Sequence, residues 1–141
     1  YLNTGFGTGN YNGVKVFDGD LKEFELADVK ILSEVLTLIK GSSNTGGSNI
    51  YSTATAKGAK VVLVAEDTVT NEKEFIEFGV TDDGSNIFHT EYGNLRTNYQ
   101  IVVPTFEFTA TNEARLNITL GANVPATNTV KITFSSTITK K

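Results

Sequence analysis

The stretch Thr129-Val-Lys-Ile-Thr-Phe-Ser-Ser-Thr-Ile138 decides the fold class. Val130, Ile132, Phe134 and Ile138 fall on one side, and Thr129, Lys131, Thr133, Ser135 and Thr137 on the other. A period of two is that of a β-strand with one buried face, and the threonines suit a pleated, solvated surface. The same alternation recurs upstream. Arg115 to Leu120 sets Leu116, Ile118 and Leu120 on one face. Tyr99 to Ala110 ends with Phe106 and Phe108 opposite Thr105, Glu107 and Thr109. Pro104 cannot donate to a ladder, which places it at an edge or a bulge.

Further back, Lys73–Val80 and Asn86–Tyr92 flank Thr81-Asp-Asp-Gly-Ser85. Asp-Gly reaches positive φ at little cost, so this pair reads as a hairpin. Ala59–Glu66 is a nearly continuous apolar run of strand length, suited to a central strand, and Asn49–Thr55 is a weaker strand signal. Asp28–Lys40 has two readings. One is an amphipathic helix with Asp28 as N-cap and Gly41 beyond its end. The other is strand, with Val35, Thr37 and Ile39 opposite Glu34, Leu36 and Leu38. Strand is preferred, because everything after it is strand and Gly41–Gly47 reads as a hairpin connection.

The expected fold is therefore all-β, an antiparallel β-sandwich of about eight to ten strands, with a jelly roll as one arrangement of it. The length, 141 residues, suits one domain. Residues 1–12 (YLNTGFGTGNYN) lack periodicity and read as an extended N-terminal arm, leaving 13–141 as a single sandwich domain. The chain starts at Tyr1 and contains no Met, which fits a processed product or a portion of one.

Composition removes several function classes. With no cysteine there are no disulfides, thiolate metal sites or cysteine nucleophiles. A formal charge of −4 argues against a nucleic-acid surface, which needs concentrated Lys and Arg. No apolar run approaches the roughly 18 residues of a membrane span.

The candidate chemistry is sparse. His89 is the only histidine, with Ser85 and Glu91 close in sequence; on a strand, 89 and 91 share a partly solvated face. Carboxylate pairs for glycoside cleavage would come from Glu66/Asp67, Glu72/Glu74/Glu77 or Asp82/Asp83, all read here as solvated surface or turn. Asp18-Gly-Asp20 with Glu23, and Asp82–Asn86, offer oxygen ligands for Ca²⁺, yet neither has EF-hand spacing. Gly5-Phe-Gly-Thr-Gly9 follows no strand and has no Lys-Ser/Thr after it, so it is not a phosphate loop. No catalytic residue, metal or cofactor is expected, and the chain reads as not an enzyme. Tyr1, Phe6, Tyr11 and Phe17 are candidates for a subunit interface, since aromatics in a glycine-rich arm cannot build a core of their own. Tyr92, Asn94, Asn98 and Tyr99 are the candidates for a glycan-binding cluster, although the chain has no Trp platform.

From Ser52 onward the chain resembles a β-sandwich module of virion structural proteins of tailed marine phages, cyanophages especially. The resemblance runs in order through Ala56-Lys-Gly-Ala-Lys-Val-Val-Leu-Val64, Asp67-Thr-Val-Thr-Asn-Glu72 leading into Phe75-Ile-Glu77, and Val80–Gly93. It continues through Phe106-Glu-Phe-Thr-Ala110, Ala114-Arg-Leu-Asn-Ile118 and Asn128-Thr-Val-Lys-Ile132. Ala56-Lys57-Gly58 lacks the aromatic that the family usually has before its Lys. The resemblance implies a virion component: a tail fibre or appendage, or a capsid decoration. It also implies a homo-oligomer, a trimer being one option, with other virion proteins as partners. Recognition of a host surface glycan is the alternative reading.

Overall fold

The computed structural model describes residues 22–141, so the arm, the interface candidates Tyr1, Phe6, Tyr11 and Phe17, and Asp18–Asp20 lie outside the described residues. The described chain is all strand and turn. Nine strands run β1 (Glu23–Glu25), β2 (Val29–Ile39), β3 (Thr45–Ser52), β4 (Ala56–Asp67), β5 (Lys73–Asp82), β6 (Ile87–Arg96), β7 (Val102–Phe108), β8 (Glu113–Leu120) and β9 (Thr129–Lys140). They form two antiparallel sheets, ordered β1-β2-β9-β4-β5-β6 and β3-β8-β7. The antiparallel sandwich expected from the alternation is what forms.

Between the sheets lies the core. Val130, Ile132, Phe134 and Ile138 of β9 meet Val61, Leu63 and Ala65 of β4 and Ile76, Phe78 and Val80 of β5. Leu116, Ile118 and Leu120 of β8 close it from the other side. β4 is central, as its apolar run implies, but only alternate residues are fully buried; Val62 and Val64 face outward and are half-buried. β7 is an edge strand, which accommodates Pro104. The β5–β6 hairpin turns at Gly84, whose φ is +89°. Asp83 holds that turn by accepting the amides of Ser85 and Asn86 at 2.9 and 2.7 Å.

Asp28–Lys40 resolves as strand. Leu32 and Leu38 are buried on the core side, while Ile31, Val35 and Ile39 stand on the outer face. A helix would gather these residues into one stripe, whereas the segment pairs along its whole length with β9. The connection after it corrects the reading of Gly41–Gly47 as a hairpin loop. The tight turn ends at the Ile39–Ser43 bridge, and the chain then crosses to the other sheet with Gly46 and Gly47 already inside β3. A Cβ at Gly47 would lie 2.6 Å from the Leu116 carbonyl, so the crossing needs glycine there.

Carboxylates staple the connections. Glu74 sits on β5 in phase with Ile76, Phe78 and Val80 and is fully buried. Its Oε1 accepts the backbone N–H of Ile101 and Val102 at 2.8 and 3.1 Å, at the start of β7 in the opposite sheet. Its Oε2 accepts Arg96 Nε at 2.8 Å. Asp67, also buried, accepts Asn128 Nδ2, the Tyr99 hydroxyl and the amides of Val69 and Thr70. Burial pushes its carboxyl up, but these hydrogen bonds outweigh burial and hold it below the ordinary value. Tyr51 of β3 donates to Asp82 across the sheets at 2.8 Å. Burial, with the neighbouring carboxylate, pushes that phenol up. The expectation that Glu74 and Asp67 are solvated surface or turn carboxylates is thus corrected: each lies in phase with a buried apolar row.

Removing a buried ion's partners, or the ion from its partners, costs roughly 3–5 kcal/mol when a buried group is left unpaired. Glu74→Ala is expected to destabilise the domain by about 3 kcal/mol or more, and Glu77→Ala, on the outer face of the same strand, by under about 1 kcal/mol. Urea unfolding checks both; equal effects would remove the staple.

Candidate functional site

Six strands over three leave one flank of the sandwich open. β6 extends past the edge of β7, and its inward side chains are only partly covered. The gap is a groove of about 470 Å³ whose lining includes His89, Glu91, Asn94, Arg96, Gln100 and Pro104. Phe78 lines it too, and another aromatic ring packs beside it. Phe106 meets Phe78 edge-on at 5.2 Å between ring centroids and the His89 imidazole at 5.0 Å.

Each wall has a cause in the sequence. The β5–β6 pairing sets His89 opposite Val80 and Glu91 opposite Phe78, so 89 and 91 share a face as the alternation requires. Arg96 lies opposite Glu74, and the buried carboxylate holds its guanidinium at the groove. Glu91 and Asn94 are bridged by a long hydrogen bond of 3.5 Å. Ser85 sits in the hairpin turn, its amide held by Asp83. The groove therefore offers an imidazole, the exposed Glu91 carboxylate, two amides and a guanidinium. This set suits hydrogen bonding to hydroxyl-rich ligands. Glu74, the second carboxylate nearby, is committed to two amides and Arg96.

The four glycan candidates do not come together. β6 carries a bulge, with Gly93 opposite Glu77 but Glu91 opposite Phe78, so Tyr92 is the extra residue. Simple alternation would place Tyr92 and Asn94 on one face. Tyr92 keeps the outer face of Phe88 and Thr90, where its ring lies over Gly79 and a Cβ there would meet the hydroxyl, and the bulge turns Asn94 inward instead. Asn94 thereby reaches the groove. Asn98 donates to Glu72 at 3.0 Å, and Tyr99 is tied to Asp67 at 2.7 Å and to Thr70. Reasoning from sequence missed Arg96 and Gln100; the signal for Arg96 was Glu74, a carboxylate in phase with core residues that needs a cation.

The two outer faces differ. On the three-stranded sheet the outer face is polar: Arg115 bonds Asn117 and Asn49, and Asn117 in turn bonds Glu107. On the six-stranded sheet, the register aligns Leu95, Phe75, Val64, Thr133 and Val35 in one row across five strands. Leu95, Phe75 and Val35 are 71%, 38% and 51% exposed. No set of three or more His, Asp or Glu placed to hold a metal occurs among the described residues.

No protein-family model matches the chain, and no curated protein matches it. Solved structures do. The tailspike protein of Acinetobacter baumannii phage AM24 shares its fold over 80% of this chain at 12% identity, with a TM-score of 0.50. Two others are the tailspike gp49 of A. baumannii bacteriophage Fri1, described as a capsular polysaccharide depolymerase, and the tailspike of Acinetobacter phage vB_ApiP_P1. They cover 84% and 94% of this chain at 12% and 13% identity, with TM-scores of 0.42 and 0.40. The chain spans about a quarter of each of these proteins: 26%, 21% and 25%. The sandwich is thus a fold found in a phage tailspike, the AM24 protein. The expectation that the chain is not an enzyme is corrected by the Fri1 protein, a structural neighbour whose description is that of an enzyme.

Proposed function

We propose that this chain is a β-sandwich module of a phage tail appendage, carried on the virion surface and assembled with copies of itself and with other virion proteins. In this reading residues 1–12 are an arm, 13–141 are the sandwich, and Tyr1, Phe6, Tyr11 and Phe17 anchor the arm on a neighbouring copy. The observation that carries the reading is the apolar row on the outer face of the six-stranded sheet. Exposed apolar groups gathered on one surface mark a contact with another chain. The fold shared with a tailspike supports the kind of particle, and so does the resemblance of Ser52 onward to modules of tailed marine phages.

A second reading gives the β6–β7 groove a direct role: contact with host-surface polysaccharide. The observation that favours it is the convergence of His89, Glu91, Asn94, Arg96 and Gln100 in one groove. Sugar hydroxyls need such convergent donors and acceptors to be held in a fixed orientation.

Light scattering on the full chain tests the first reading. The wild type is expected to be larger than a monomer, and replacing Tyr1, Phe6, Tyr11 and Phe17 by Ser is expected to lower its mass. Monomers for both would overturn it. For the second reading, binding to a panel of immobilised bacterial surface polysaccharides should weaken about tenfold on Asn94→Ala, the scale of one lost hydrogen bond. Unchanged binding would end the role of the groove.

A further inference from the structure

A second concave place lies on the outer face of the six-stranded sheet, displaced along the strands from the apolar row. Gly79 is four residues along β5 from Phe75, about 13 Å. Here a hollow of about 470 Å³ is lined by Lys57, Gly58, Lys60, Gly79, Tyr92 and Thr137, among others. Another of about 400 Å³ shares Gly79 and Tyr92 with it and reaches Phe88. Among the described residues the six-stranded sheet has two bulges, and both border this hollow. Lys57 is the extra residue of β4 against β9, as Tyr92 is of β6 against β5. The Thr81 hydroxyl donates to the Lys57 carbonyl at 2.8 Å and fixes the first bulge. Bulges gather beside binding sites, and glycine inside a strand marks a place that another group can approach closely.

We propose that this hollow binds an acidic polysaccharide, with one sugar against Tyr92 and its carboxylate toward Lys57 and Lys60. The proposal rests on the reading that the chain meets host-surface polysaccharide, and it adds a contact separate from the groove. Tyr92 and Phe88 are 65% and 52% exposed. A tyrosine offers an apolar ring to the C–H groups of a sugar and a hydroxyl to its oxygens. The end of the Tyr92 ring rests over Gly79, in space that a Cβ would fill, so the glycine lets the ring lie down on the sheet. Thr137 and Thr139, both exposed, add hydroxyls to the lining. A floor of glycine backbone and threonine hydroxyls matches the hydroxyl groups of a sugar better than an apolar side chain of another protein.

Charge selects the kind of sugar. The lining of the hollow holds two ammonium groups and no carboxylate, on a chain whose formal charge is −4. Lys60 lies 3.3 Å from Glu77, and Lys57 is in no ion pair among the described residues. A lysine is a point charge on a flexible stem, able to follow an anion within its reach. The groove differs: Glu91 is exposed in it, and the charge of Arg96 is balanced by buried Glu74. An anionic sugar is therefore favoured at the hollow and a neutral one at the groove.

Backbone amide NMR of the full chain tests the site, with short fragments of polygalacturonate, alginate and hyaluronan as probes and dextran fragments as the neutral control. At least one acidic fragment is expected to shift the amides of Gly58, Gly79 and Tyr92, and dextran to leave them in place. Lys57→Gln, at an exposed position, should weaken that binding about tenfold at low salt, and high salt should remove most of the difference. Tyr92→Ala should weaken it at least about fivefold, while Tyr92→Phe keeps most of the affinity and Asn94→Ala all of it. No shift at these amides with any acidic fragment, or undiminished binding by Lys57→Gln, would overturn the site. If shifts then appear instead along the groove, at His89 and Asn94, the polysaccharide reading stands without the hollow; if no amide shifts at all, both fall.

Discussion

One buried carboxylate fixes where the smaller sheet ends and where the groove begins. Glu74 occupies a core position of β5, and an ion there costs several kcal/mol unless its oxygens are satisfied. The amides of Ile101 and Val102, at the entry to β7, are buried and need acceptors of their own. Each group supplies what the other lacks, so the entry to β7 is held against the six-stranded sheet at a fixed point. Arg96 balances the charge from the neighbouring strand and is thereby fixed at the mouth of the groove. Asp67 with Tyr99 and Asn128, and Asp82 with Tyr51, tie down the ends in the same manner. Apolar burial holds the two layers together; these carboxylates set their mutual alignment.

That alignment gives the molecule two unlike sides. The outer face of the three-stranded sheet is a network of charged and amide groups suited to water. The opposite face displays a row of apolar side chains, and the open flank displays a polar groove beside the edge strand β6. A sandwich standing alone in water gains nothing from that distribution. A module that meets copies of itself on one side and a hydroxyl-rich ligand at the flank would use all of it.

Much of the fold was legible because burial on one face imposes a period of two, as in β9, β8 and the β5–β6 hairpin. Pro104 marked an edge strand. Sheet membership was not legible: Gly41–Gly47 has the composition of a hairpin loop, yet tertiary packing sends the chain across to the other layer. The site was less legible than the fold. Glu74 and Asp67 were in phase with apolar rows, and that phase carried the information that they are buried. The parting of Tyr92 from Asn94 had no comparable signal. It depends on a bulge that Gly93 permits but does not announce, and one extra residue reverses every face that follows. Asn98 and Tyr99 were diverted to carboxylates that the sequence does not show to be near them.

Amide hydrogen exchange at Ile101 and Val102 in the native protein tests the Glu74 staple most directly. Two amides bonded to a buried carboxylate exchange only when the domain opens, so both should be protected to the level of Val61 and Leu63 in the centre of β4. Exchange at the rate of the exposed Thr97–Asn98 turn would show that Glu74 does not hold β7, and the alignment of the two sheets would then need another cause.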